Sequence, residues 1–223
     1  ASVSSPCVCS AARFVSVEAR SGGGAAAVVG SRFGLDLLTG LGIEPVVDDL
    51  VTAQLIDQVR FTRPTEYVFH HPLIRRVAYE SQLKSDRAQL HRRLAASIQE
   101  RDAQSVDENA ALIAEHLQAA DDLHAAYGWH MRAATWATNR DIAAAHTSWR
   151  RARQVADQLP DDDPDRISMR IAPRTLLCGT AFRVGGSSAD TGFDQLRELC
   201  TAAGDQRSLA IGMTGLVMAQ GTN

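Results

Sequence analysis

No apolar run in this sequence approaches the roughly 20 residues that cross a bilayer as a helix, so no membrane partner is expected. Cysteine is sparse. Cys7, Cys9, Cys178 and Cys200 fit no CxxC pair and no zinc-finger spacing, which points to reduced thiols in a cytoplasmic protein and not to a disulfide framework. No basic segment precedes the mildly apolar stretch around Cys7-Val8-Cys9, so it reads as neither signal peptide nor anchor. An excess of positive charge is missing too. The 23 Lys and Arg stand against 26 Asp and Glu, a formal net charge of −3, which argues against a surface given over to nucleic acid.

The catalytic and ligand motifs are absent in the same way. A phosphate-binding loop needs GxxxxGK[ST], with Lys on the phosphates and a hydroxyl on Mg²⁺. In "SGGGAAAVVGSR" Gly30 is followed by Ser31-Arg32, and Ala25 stands where the first glycine belongs. His70, His71, His91, Glu115, His116 and His124 are of metal-ligating type, yet there is no HExxH and no two histidines stand at i, i+4. Asp161-Asp162-Asp163 lacks the spacing and the glycine of a calcium loop and reads as a solvated turn. No GxSxG occurs, and no pair of carboxylates sits in the Gly-rich strand setting of a metal-dependent nucleotidyl cyclase. The chain by itself is therefore expected to have no catalytic residue, no metal and no cofactor.

What is present is helical periodicity. Residues 1–24, rich in Ser, Ala and Gly, are expected to be weakly ordered. "AAAVVGSRFGLDLLTGLG" reads as a helix broken at Gly30 and a second short helix. "VVDDLVTAQLIDQV" has helical spacing throughout, and "RFTRPTEYVFHH" reads as two strands about a turn at Pro64. Three short helices and a hairpin outline a winged-helix-like domain over 25–71. Residues 72–223 read as helices: one from Pro72 to about Leu83, one capped by Ser85 or Asp86, one capped by Asp107, then a further series interrupted by the PDDDP turn and by Pro173. Trp129, Ala133 and Trp136 stand at i, i+4, i+7, and so do Ala145, Trp149 and Ala152. That small–large spacing belongs to a tetratricopeptide-like helix pair, and an ordinary helical hairpin is the alternative. The fold class expected is all-α, a small winged-helix-like part followed by a tetratricopeptide-like solenoid.

The stretch "YVFHHPLIRRVAYE", from Tyr67 to Glu80, turns from strand to helix at His70-His71-Pro72 and follows with Arg75-Arg76. A metal site, a DNA reader, a phosphate sensor and a structural hinge would each suit that corner. Arg75, Arg76, Arg92 and Arg93 are candidate phosphate or DNA contacts, because basic helices beside a winged helix can meet a duplex backbone. Solvated helix faces explain them as well, and the helix most like a recognition helix, "VVDDLVTAQLIDQV", is acidic.

"AAVVGSRFGLDLL", "VDDLVTAQLIDQV", "YVFHHPLIRRVAYESQL", "RAQLHRRLAASIQ" and "ALIAEHLQAADDLHAAYGWHMRAATWA" resemble, in that order, the region after the ATPase core of STAND-type signalling ATPases. Among these the chain looks most like large bacterial regulators that join a class III adenylate/guanylate cyclase domain, an AAA/NB-ARC-like ATPase, a winged helix, a helical repeat array and often a LuxR-type helix-turn-helix. The resemblance covers roughly residues 25–218. It implies that His71, ahead of Pro72-Leu73 and with Phe69 as its packing aromatic, is the histidine that contacts the β-phosphate of ADP. ADP or ATP is implied for the parent protein only. The P-loop, the Walker-B strand, the cyclase domain and the C-terminal DNA-binding helices are missing here, so the chain is expected to be a piece of a larger regulator. Its expected role is non-catalytic: a protein or small-molecule signal received on the helical array and passed to an ATPase or cyclase module. The alternatives are an enzyme, either an adenylate cyclase or an ATP-binding protein, and a DNA-binding transcriptional regulator.

Overall fold

The computed structural model describes residues 17–41, 47–60, 65–101, 105–185 and 192–221. Among them the protein is mostly helical, with eleven α-helices and one small sheet. The chain divides into two compact units, Ala1–Ser97 and Ile98–Asn223.

The first unit starts with helix α1 (Val17–Val29), then β1 (Arg32–Gly34), α2 (Leu35–Gly40), α3 (Val47–Thr52), β2 (Ile56–Arg60), β3 (Glu66–Phe69) and α4 (Pro72–Glu80). Its sheet is antiparallel in the order β1-β3-β2, so the last strand in sequence is the middle one. Phe33, Ile56, Tyr67 and Phe69 point inward from the three strands onto Ala25, Ala26, Ala27, Leu38, Val47 and Leu50. Phe33 lies 5.9 Å from Tyr67 and 5.6 Å from Phe69 between ring centroids, a packed aromatic trio.

Several features depart from the sequence reading. The weak order expected through Gly24 does not hold for its last residues: Gly22, Gly23 and Gly24 lie inside α1 and are buried, while residues 1–16 fall outside the described ones. Close packing against α4 supplies the reason. A Cβ on Gly24 would come within 2.9 Å of the Gln82 side chain, whose Nε2 donates to the Gly24 carbonyl at 3.0 Å. The helix expected to continue through Gln54 and Val59 ends at Thr52, and Ile56–Arg60 is a strand, because β3 offers it a ladder and the core takes Ile56. The boundary expected after His71 lies after Ser97. Ile74, Ala78, Tyr79 and Leu90 all pack on the first core, so the first unit needs α4 and most of α5 (Lys84–Arg101). Pro64 falls outside the described residues.

The second unit holds α6 (Ala110–Ala119), α7 (Leu123–Ala137), α8 (Ile142–Asp157), α9 (Arg166–Gly179), a 3₁₀ turn (Ala181–Arg183), α10 (Phe193–Ala203) and α11 (Gln206–Gly221). Each helix packs on the next, and α9 also takes α11. Asp122 and Asp141 accept from the backbone N–H of Ala125 and Ala144, which fixes the starts of α7 and α8. Asp107 does not cap α6, whose N-cap is Asn109; its carboxylate pairs with Arg132 instead. Nor do Ser85 and Asp86 precede α5, which already begins at Lys84. Pro173 does not interrupt its helix. It sits inside α9, where the nearby carbonyls of Arg170 and Ile171 gain side-chain donors from Arg174 and Thr175.

Candidate functional site

The strand-to-helix corner at His70-His71 is held from several directions. Phe69 is buried in the first core, and its N–H donates to the Ser31 carbonyl. The His70 N–H donates to the Leu55 carbonyl at 3.1 Å, and His70 Nδ1 meets Asp57 Oδ2 at 2.8 Å. His71, extended at φ −143 and ψ 140, is the N-cap of α4, with Pro72 in the first turn where no N–H is missed. Its Nδ1 accepts from the Leu73 N–H at 3.1 Å. An accepting Nδ1 carries no proton, so Nε2 is the ring nitrogen left to donate. His71 is exposed.

The four candidate arginines do not converge on the corner. Arg75 reaches back to α1, its Nε donating to the Ala27 carbonyl at 3.0 Å. Arg76 pairs with Glu80 one turn along at 2.9 Å. That partner, through its hydrogen bond first and its charge second, raises the already high pKa of Arg76. Arg92 and Arg93 are exposed on α5.

The tetratricopeptide-type residues fare unevenly. Ala145 and Trp149 are buried in one cluster with Ala134, Ala137 and Leu177, and Trp136 packs at its edge. Ala133 and Ala152 are buried as well. Trp129 instead lies under a guanidinium: Arg132 stacks over it at 4.7 Å, as Arg140 does over Trp136.

Sequence reasoning misses the His70–Asp57 pair, because the apolar spacing places Asp57 in a helix and hides its strand register. It also misses a second polar group in the first unit. Tyr79 Oη meets His91 Nε2 at 3.0 Å, with Arg87 stacked 4.8 Å above the phenol ring. In the second unit a cavity of about 360 Å³ is lined by Arg170, Gln195, Glu198, Leu199 and Ala202, none of them a sequence candidate. Beside it lies Arg174, almost wholly buried, with Nη2 on both oxygens of Asp157 at 2.9 and 2.7 Å. Among the described residues no three His, Cys, Asp or Glu side chains are grouped to hold a metal ion, and no helix is long and apolar enough to cross a membrane. No family model, curated protein or solved structure matches the chain.

Proposed function

We propose that the chain is the non-catalytic sensor and coupling part of a STAND-type regulator. The observation that carries this reading is the state of His71. On an exposed ring whose Nδ1 accepts from the Leu73 N–H, Nε2 is the nitrogen left to donate, which suits a phosphate oxygen of ADP held by a neighbouring ATPase module. The order of elements supports it: helix, strand, helix, helix, strand, strand, with a β1-β3-β2 sheet, is the arrangement of a winged helix. The consecutive packing of α6 to α9 around small residues and Trp149 supports a tetratricopeptide-like array.

In this reading a protein or small-molecule signal binds the array. By favouring the open form of the regulator it weakens the hold of His71 on the nucleotide, and the coupling equals the difference in affinity between the two forms. Arg75 and Arg76 are already engaged within the unit, and the exposed Asp48 and Asp49 stand on α3. Both facts leave the DNA-binding alternative with less support.

The test uses His71→Asn, which keeps an oxygen for the cap and removes the ring donor. In the longer polypeptide that joins this chain to its nucleotide-binding module, ADP release is expected to quicken at least about tenfold, the loss of one charge-assisted hydrogen bond. Unchanged release overturns the role of His71. Calorimetry of the present chain with ADP or ATP and Mg²⁺ is expected to give no heat. Micromolar binding, ATP hydrolysis or cyclic AMP formation by this chain overturns the division between sensor and engine.

A further inference from the structure

We propose that α6, α7 and α8 form an acid-released latch, kept shut by three buried neutral imidazoles, His116, His130 and His146, one on each helix. The latch belongs to the second unit alone and stands independently of the role given to His71.

The three side chains are 8 %, 2 % and 4 % exposed, in helices that pack successively on one another. His130, on the middle helix, has Nε2 3.4 Å from Gln118 Oε1 of α6, while its Nδ1 is buried without a hydrogen-bond partner. A neutral ring tolerates that bare acceptor nitrogen. A second proton would add a cation and a donor with nothing to receive it. At His146 the tautomer follows from its neighbour. The Thr180 hydroxyl donates to the Leu176 carbonyl at 2.7 Å, so at 2.8 Å it accepts from His146 Nε2. That ring also stands edge-on to Trp149, with centroids 5.5 Å apart, inside the Ala134–Ala145–Leu177 cluster.

The charges acting on His130 and His146 have one sign. Facing His130, α6 presents the uncharged Gln118 and α8 presents Arg151. Facing His146 are Thr180 at the end of α9, Arg150 on α8 itself and Arg183 from the 3₁₀ turn. Burial first, and the guanidiniums second, hold both imidazoles below the ordinary histidine range, His130 at about 4; burial alone lowers His116. The opposite case is His124, also on α7. Its bond to Asp163 raises it, and it lies open to solvent.

The sign follows from where protons bind. Between about pH 6.5 and 4 the unfolded chain takes up protons that the folded unit refuses. The stability tied to these groups is therefore full above 6.5 and is lost as the pH falls. For His130 alone the folded-to-unfolded ratio drops about 20-fold between pH 7 and pH 5. Opening at mild acid would free the Trp149 cluster, so the stimulus is the proton itself.

The experiment is an imidazole ¹³C–¹H titration of the intact chain by NMR, with urea unfolding followed by Trp emission at pH 7.5 and 5. We expect His130 to stay neutral down to pH 5 in the folded chain and the unfolding midpoint to fall between the two pH values. His130→Gln should lose most of that fall, and His124→Asn should deepen it. A His130 that titrates at pH 6 or above in the native chain, or a His130→Gln midpoint that falls as far as that of the wild type, overturns the latch. If His130→Gln does not fold, the native titration decides alone.

Discussion

Arg75 and Ala27 are joined across 48 positions of sequence by a single 3.0 Å hydrogen bond, from the guanidinium Nε in α4 to a carbonyl in the last turn of α1. Those last carbonyls have no partner within their own helix, and a cation there also meets the negative end of the helix dipole. With Gln82 on Gly24, one turn earlier, Arg75 fastens α4 along a helix that is all glycine and alanine from Gly22 to Ala27. Arg75→Ala is expected to lower stability by about 1–2 kcal/mol. Hydrogen exchange should quicken first in α1. Unchanged exchange of the α1 amides would show that packing alone holds the pair.

His71 carries a structural duty apart from any ligand. Removing its cap with His71→Ala should cost about 0.5–1 kcal/mol, read as a shift in the urea midpoint, whereas His71→Ser should cost little, since a hydroxyl accepts from the same N–H. Equal losses for both variants would mean that the ring contributes by contact and not through Nδ1.

Two helical glycines should respond with opposite sign. Gly128 lies exposed in α7, and a Cβ there meets nothing within 4 Å. Gly128→Ala is expected to stabilise by about 0.5–1 kcal/mol. On α11, Gly215 lies against backbone: its Cβ would fall 2.5 Å from Gly179 Cα and closer still to the Cys178 carbonyl. Gly215→Ala should destabilise by about 3 kcal/mol, because neither contact is a side chain that can move aside. Thermal melts of the two variants give the comparison directly.

Asp157 is the carboxylate shared by Arg174 and Arg170. Burial pushes its pKa up, but the hydrogen bonds and charges of the two arginines outweigh that and hold it below the ordinary value of 3.8. Its contribution is therefore present above about pH 3.8 and is lost as the pH falls through its lower folded value, a window more acid than that of His130. Asp157→Ala leaves the Arg174 guanidinium, whose side chain is only 2 % exposed, without its counter-charge and should cost about 3–5 kcal/mol. Adding Arg174→Met should recover much of the loss. A double variant no more stable than the single one would place the energy in packing around the Arg174 stem.

The long, regular elements were legible in the sequence. The spacing of Ala145, Trp149 and Ala152 gives the buried face of α8. What the sequence hid was set by partners far along the chain. Ile56–Arg60 follows a helix without a break in apolar spacing, and only pairing with β3 makes it a strand. Arg32–Gly34 is too short to show alternation. The glycines of α1 read as disorder because their tolerance depends on Gln82, 58 positions away from Gly24. At the corner, His71 was visible as a residue type at a joint, and its Nδ1 cap is a local contact that the Pro72 signal foreshadows. The His70–Asp57 bond depends on strand register and left no local trace.

Because β3 lies between β1 and β2, neither outer strand has a neighbour until the chain has been extended to Phe69. On a ribosome, where residues emerge singly and in order, Arg32–Gly34 and Ile56–Arg60 have no ladder to join until Glu66–Phe69 follows them. The inner faces of Phe33 and Ile56 wait uncovered for that interval. Tyr67 and Phe69 then pair with both waiting strands at once, and α4 follows within three residues to seal α1. The first unit should therefore fold on the ribosome in a single late step, not strand by strand.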